Sequence, residues 1–161
     1  MKKILFLLLT ALCFTNVKAN DMTTLKISNG WKFRQARLDN WYPATVPGTV
    51  HTDLMANGLI EDPFFGLNER GVQWVDKEDW IYQTTFKADE VIGKSNIWIE
   101  FDGLDTYADV FLNDSLIIKA DNMFRRWKAD IRHLIHEGDN QLRVYFHSPV
   151  KIDLPKLEAL P

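Results

Sequence analysis

Apolar and polar side chains alternate with a period of two through most of the legible chain, which is the pattern of half-buried strands. In residues 96–102, Ile97, Ile99 and Phe101 fall on one face and Trp98 and Glu100 on the other. Residues 108–112 and 115–120 flank Asn113-Asp114, a pair suited to a tight turn, and predict a hairpin. Residues 79–87 and 141–147 also predict strands, and 30–36 a weaker one with Trp31 and Phe33 on one face and Lys32 and Arg34 on the other. Helical signals are short. Residues 49–57 have Thr49 as cap, Leu54 and Met55 to point inward and Gly58 as stop, and residues 130–137 have Asp130 as cap and Gly138 as stop.

Between Gly58 and Asp76 the alternation breaks down around Pro63, Gly66 and Gly71. A stretch that long without a regular element is usually functional or disordered. Its Phe64, Phe65, Leu67 and Trp74 argue against disorder. No internal repeat, low-complexity tract or run of like charges appears. The pattern predicts an all-β fold, an antiparallel jelly-roll β-sandwich carrying one or two short helices.

The ends read differently. Lys2 and Lys3 precede an apolar run from residue 4 to 14, and Val17-Lys18-Ala19 offers a cleavage site, so residues 1–19 are expected to be a signal peptide. A run of eleven residues falls well short of the roughly 20 that a spanning helix needs. Export to the periplasm or the extracellular space follows as an expectation, with no membrane span after cleavage. Residues 20–148 are expected to form the sandwich. Residues 149–161, with Pro149, Pro155 and Pro161 and no alternation, read as the start of a loop or a continuation into further sequence. The sandwich is accordingly expected to be shortened at its C-terminus and poorly soluble in isolation.

Composition matters once the leader is set aside. The leader takes Lys2, Lys3 and Lys18 with it, leaving 16 basic against 22 acidic residues, a net charge of −6 that disfavours nucleic acid as a partner. Cys13, the sole cysteine, leaves as well, which removes disulfides and thiolate metal ligands from the mature chain. The remaining 142 residues can bury a real core, and 18 aromatic side chains can fill it or stack on sugars.

Candidate chemistry is sparse. Hydrolysis of a glycoside takes two carboxyl groups about 5 Å apart for retention and several Å more for inversion. No spacing here identifies such a pair, and most of the acids read as solvated faces of strands and turns. His133 and His136 lie one turn apart on the second predicted helix without a third ligand, and His51 and His147 are isolated, so no metal site and no cofactor is expected. Glycine-rich phosphate loops and nucleophile elbows are missing. Trp31, Trp80, Trp98 and Trp127 lie in or beside strands and read as core, whereas Trp74 sits in the irregular loop, where packing and a sugar-facing rim are both open readings.

Three segments taken in order carry a resemblance: Asn29-Gly30-Trp31-Lys32-Phe33, Val46-Pro47-Gly48-Thr49-Val50-His51-Thr52-Asp53-Leu54, and Asp62-Pro63-Phe64-Phe65-Gly66-Leu67-Asn68-Glu69. Trp74, Asp79-Trp80-Ile81-Tyr82, Phe86, Phe101-Asp102-Gly103-Leu104-Asp105-Thr106-Tyr107-Ala108, Asn122-Met123-Phe124-Arg125 and Trp127 continue it. Together they resemble the N-terminal, galactose-binding-like jelly-roll domain of glycoside hydrolase family 2 β-mannosidases. The Phe101–Ala108 segment resembles family 2 broadly, and the Val46–Leu54 and Asp62–Glu69 segments resemble β-mannosidases in particular.

The resemblance implies a non-catalytic domain of an exo-acting enzyme that removes terminal non-reducing β-D-mannosyl residues with retention. Its two catalytic glutamates would lie in a downstream TIM barrel, with an immunoglobulin-like domain also downstream, so no catalytic residue is expected in this chain. The partner implied is a β-mannoside glycan, met through the full-length enzyme, with Asn68 and Trp74 as candidate substrate-binding residues on the pocket wall. Two other readings stay open: a free-standing carbohydrate-binding module, and the first domain of a family 2 β-galactosidase or β-glucosaminidase.

Overall fold

The computed structural model describes residues 22–160, so the expected signal peptide lies outside the described residues. Eight strands form: β1 Lys32–Gln35, β2 Tyr42–Pro43, β3 Trp80–Lys87, β4 Trp98–Phe101, β5 Ala108–Leu112, β6 Ser115–Ala120, β7 Trp127–Asp130 and β8 Asp139–Phe146. Two helices join them, α1 Val50–Ala56 and α2 Pro149–Glu158. The strands make a six-stranded sheet in the order β2-β1-β3-β8-β5-β6 and a two-stranded ribbon of β4 and β7, with every pairing antiparallel. The all-β jelly-roll expectation holds.

Alternation explains the layers. Phe33 on β1, Val110 and Leu112 on β5 and Leu142 and Val144 on β8 are buried on one face of the large sheet, and Ile99 and Ile131 from the ribbon side join them in a single apolar cluster. On β4 Ile99 turns inward, as does Ile97 just before it, while Trp98 and Glu100 turn out, as the pattern predicts. The β5–β6 hairpin turns at Asn113 and Asp114, whose φ of 47° and 63° are the left-handed pair that a two-residue hairpin loop requires. Asn113 is also a tie: its amide donates to the Leu134 carbonyl and to Asn140 Oδ1, both at 2.8 Å, and its Oδ1 accepts from Gln141 N at 2.9 Å.

Helix α1 forms where Thr49 and Thr52 build a reciprocal capping box and Gly58 takes a φ of +67° beyond its end. Leu54 is buried, and Met55 is half-buried.

Three expectations are corrected. Residues 130–137 form no helix: Asp130 ends β7, its carboxylate accepts from Arg132 N at 3.0 Å in a local turn, and a turn closes from Ile131 O to Ile135 N at 3.0 Å. The cap and stop residues were present, but the buried Ile131 pins the turn to the core before a second turn can follow. Within the stretch expected to be the start of a loop or a continuation into further sequence, Pro149–Glu158 is helical and not loop, because Pro149 occupies the first helical turn, where its missing N–H is not needed, and the Ser148 side chain caps α2. Trp98 is not core: half its surface is exposed, and the Lys128 ammonium sits 4.8 Å from its ring centre. Trp31 and Trp80 are buried, and Trp127 is half-buried.

Candidate functional site

The irregular stretch after α1 folds on itself. Asp62 Oδ1 accepts from Phe64 N at 2.9 Å, and the Asp62 carbonyl accepts from Phe65 N at 3.1 Å and from the Asn68 carboxamide at 3.0 Å. This lobe turns through Gly66, at a φ of +60°, and presents Phe64, Phe65 and Leu67 to solvent. Two short 3-10 segments follow, Asn68–Val72 and Val75–Lys77.

The far end of the loop is fixed to the large sheet. Val75 is buried, the Trp80 indole donates to the Val75 carbonyl at 3.0 Å, and the Trp74 ring lies 5.8 Å from that of Trp80. Trp74 therefore packs with one part of its ring and leaves 37% of its surface exposed.

Asn68 and Trp74 come together on one cleft of about 220 Å³, shared with Leu59, Ile60, Glu61, Gly71 and Val72. An exposed indole beside apolar side chains, with a carboxamide and a carboxylate on the rim, matches a pyranose: apolar C–H groups on one face and hydroxyls at the edge. Ligand pockets usually enclose about 300–1,000 Å³, so this cleft suits one wall of a pocket better than a whole one.

A second cleft, of about 270 Å³, is lined by Ala36, Arg37, Glu78, Asp79, Tyr145 and Lys151. Its carboxylates are engaged. Glu78 pairs with Arg37 at 3.1 Å; Asp79 accepts from Ser148 N at 2.8 Å and from Tyr145 Oη at 3.0 Å, with Lys151 Nζ at 3.3 Å. Burial pushes the Asp79 carboxyl up, but the Ser148 N–H, the Tyr145 hydroxyl and the Lys151 ammonium outweigh it and hold Asp79 below its ordinary value. A general acid needs the opposite shift. Burial and the bond to Asp79 in turn raise Tyr145.

Other carboxylates have structural partners too. Asp53 is buried and accepts from Tyr82 Oη at 2.8 Å and Thr45 N at 2.9 Å. Glu100 and Asp102 share Arg126 at 3.4 and 3.1 Å. Asp109 meets His147 Nε2 at 3.0 Å. His133 and His136 share no helix; their rings lie against Arg132 and the Glu137 carbonyl. Among the described residues no group of three or more histidine, cysteine or acidic side chains could hold a metal ion, and no helix is long and apolar enough to cross a membrane.

Sequence reasoning missed Asp53 and the Asp79 cluster. Asp53 had a signal, since it lies three residues after Val50 and beside Leu54 on the inward side of α1. The Asp79 partners Tyr145 and Ser148 are 66 and 69 residues away, beyond any local pattern.

Comparison with known proteins then bears on this geometry. Residues 31–161 match the model of the glycosyl hydrolase 2 galactose-binding domain-like family. A β-mannosidase B from Emericella nidulans is 41% identical over 125 residues, which cover 74% of this chain and 15% of that protein. The Aspergillus clavatus β-mannosidase B is 39% identical over the same shares. Among solved structures, a β-D-mannosidase from Dictyoglomus thermophilum superposes with a TM-score of 0.83 at 44% identity, covering 87% of this chain and 17% of that one. An exo-chitosanase from Amycolatopsis orientalis shares the fold, with a TM-score of 0.65 at 24% identity. The chain thus spans about 15% of the length of the curated relatives it matches.

Proposed function

The chain belongs to the glycosyl hydrolase 2 galactose-binding domain-like family, and from that premise we propose that it is the N-terminal, non-catalytic domain of an exo-acting β-mannosidase. The full enzyme would hydrolyse terminal non-reducing β-D-mannosyl residues with retention, using carboxylates supplied by sequence outside this chain. The observation that carries the reading is the gradient of likeness. Identity is 44% to the mannosidase of known structure, 24% to the exo-chitosanase and 18% to a β-glucuronidase.

Within that enzyme the cleft around Asn68 and Trp74 forms part of the wall of the sugar pocket. The exposed part of the Trp74 indole stacks on a pyranose face, and the Asn68 carboxamide bonds a hydroxyl. Two features support this role: both residues line the same cleft, and the anchoring of Trp74 on Trp80 holds the ring in place before a sugar arrives. The leader-like residues 1–19 support export to the periplasm or beyond.

The test is hydrolysis by the full-length protein of an aryl β-mannoside, with the anomer of the first product read by NMR. Release of β-mannose supports the reading. Release of the α anomer, or no turnover, overturns it.

A further inference from the structure

Helix α2 is attached to the sandwich by polar groups. Besides the bonds from Ser148 N and Lys151 to Asp79, Ser148 Oγ donates to the Asp76 carbonyl at 2.6 Å, Tyr107 Oη donates to Asp153 Oδ1 at 2.6 Å, and Lys156 Nζ lies 3.2 Å from Tyr107 Oη. No residue of the helix is buried. Of its apolar residues, Val150 and Ile152 are half-buried, and Val150, Leu154 and Leu157 recur at i, i+4 and i+7, the spacing of a single helical stripe. Leu154 and Leu157 are 48% and 64% exposed, and Leu160 just beyond them is 67% exposed.

A surface helix ordinarily turns such a stripe to the core and its charges to water. Here Lys151, Asp153 and Lys156 reach polar groups of the sandwich while Leu154 and Leu157, at the outer end of the stripe, stand in water. The helix is also weak by itself: it has ten residues, and Pro155 lacks the N–H that the Lys151 carbonyl would accept. Helices shorter than about 12–15 residues are marginal in water unless an apolar face is packed.

We infer that the stripe of Val150, Leu154 and Leu157 is a docking surface for downstream polypeptide of the same longer chain, which covers it with apolar side chains. The inference rests on the reading above that the chain is one part of a larger enzyme. Two observations select that occupant. The family match runs through the helix to residue 161, so the helix is an integral piece of the family's domain. The matched relatives are far longer, the aligned part being only 15% of their length and their N-terminal portion. A second copy is a poor fit, because three side chains on each partner fall far below the roughly 1,200 Å² that a stable interface between separate molecules buries. Covalent continuity removes most of that association cost.

The test is hydrogen exchange on the full-length enzyme, following peptides from residues 149–160, in the wild type and in a Leu154→Gln/Leu157→Gln variant. Glutamine keeps helix propensity, so the change removes the apolar contact with little effect on the helix itself. The expected result is exchange at least about tenfold faster in the variant, with wild-type protection independent of protein concentration. Equal exchange in the two proteins overturns the inference, and so does protection that grows with concentration, which would assign the stripe to a second copy. Should the variant fail to fold, wild-type amides exchanging at the rate of an unstructured peptide would overturn it equally. Mannoside turnover by the same wild-type sample separates the two readings: turnover with an unprotected helix defeats this inference alone, and a protected helix without turnover defeats the functional reading alone.

Discussion

Asp53 shows how much one side chain depends on distant partners. A carboxylate that is 1% exposed would be costly in a core, but the Tyr82 hydroxyl and the Thr45 N–H satisfy both oxygens. Burial first, and the bond to Asp53 second, push the Tyr82 hydroxyl far above its ordinary value of 10.0, so it stays a donor. Tyr82→Phe leaves Asp53 Oδ2 without its partner and is expected to cost about 1–3 kcal/mol. Urea unfolding would measure it, and an unshifted midpoint would mean that the bond contributes nothing. The general reading of most acids as solvated does not single Asp53 out, because its satisfaction depends on residues 8 and 29 positions away. Trp98 teaches the converse lesson. The alternation placed it opposite Ile97 and Ile99, and that placement outweighed the general habit of tryptophan to be buried.

Strands with strict alternation were legible as elements, and β5 and β6 appear at the predicted bounds. The hairpin between them is a sensitive place. Asp114 holds a φ of 63° that glycine adopts more readily, so Asp114→Gly is expected to raise stability by about 0.5 kcal/mol. A thermal melt with a lowered midpoint would contradict the turn assignment. Strand β7 and helix α2 were not legible. The four residues of β7 acquire their meaning only from pairing with β4, and the prolines of α2 mask a helix whose cap and docking partners lie elsewhere in the fold. That docking has a pH signature. Asp79 is depressed below its ordinary 3.8 in the folded protein, so the stability it contributes is present above that value and is lost as pH falls through the lower folded one. Protection at 149–160, taken relative to the intrinsic amide rate at each pH, should therefore fall below about pH 4, and Asp79→Asn should remove that acid-dependent step. An identical acid profile in the variant would assign the transition to another group.

At the scale of the molecule, loop length and aromatic content singled out the region after α1, and resemblance singled out Asn68 and Trp74. Neither could show that the two share a cleft, which follows from the self-bonded Asp62 lobe and the seat of Trp74 on Trp80. In the full-length enzyme Asn68→Ala is expected to lower kcat/KM on mannosides by about five- to tenfold, the worth of one neutral hydrogen bond. A drop in melting temperature without a kinetic change would return Asn68 to a structural role in the lobe. The central claim is that this domain belongs to an enzyme that selects β-mannosides, and it is tested most directly by the kcat/KM of the full-length protein on matched aryl β-mannoside, β-galactoside and β-glucosaminide. The mannoside is expected to be cleaved fastest. Faster cleavage of either of the other two, or sugar binding with no cleavage of any, would contradict it.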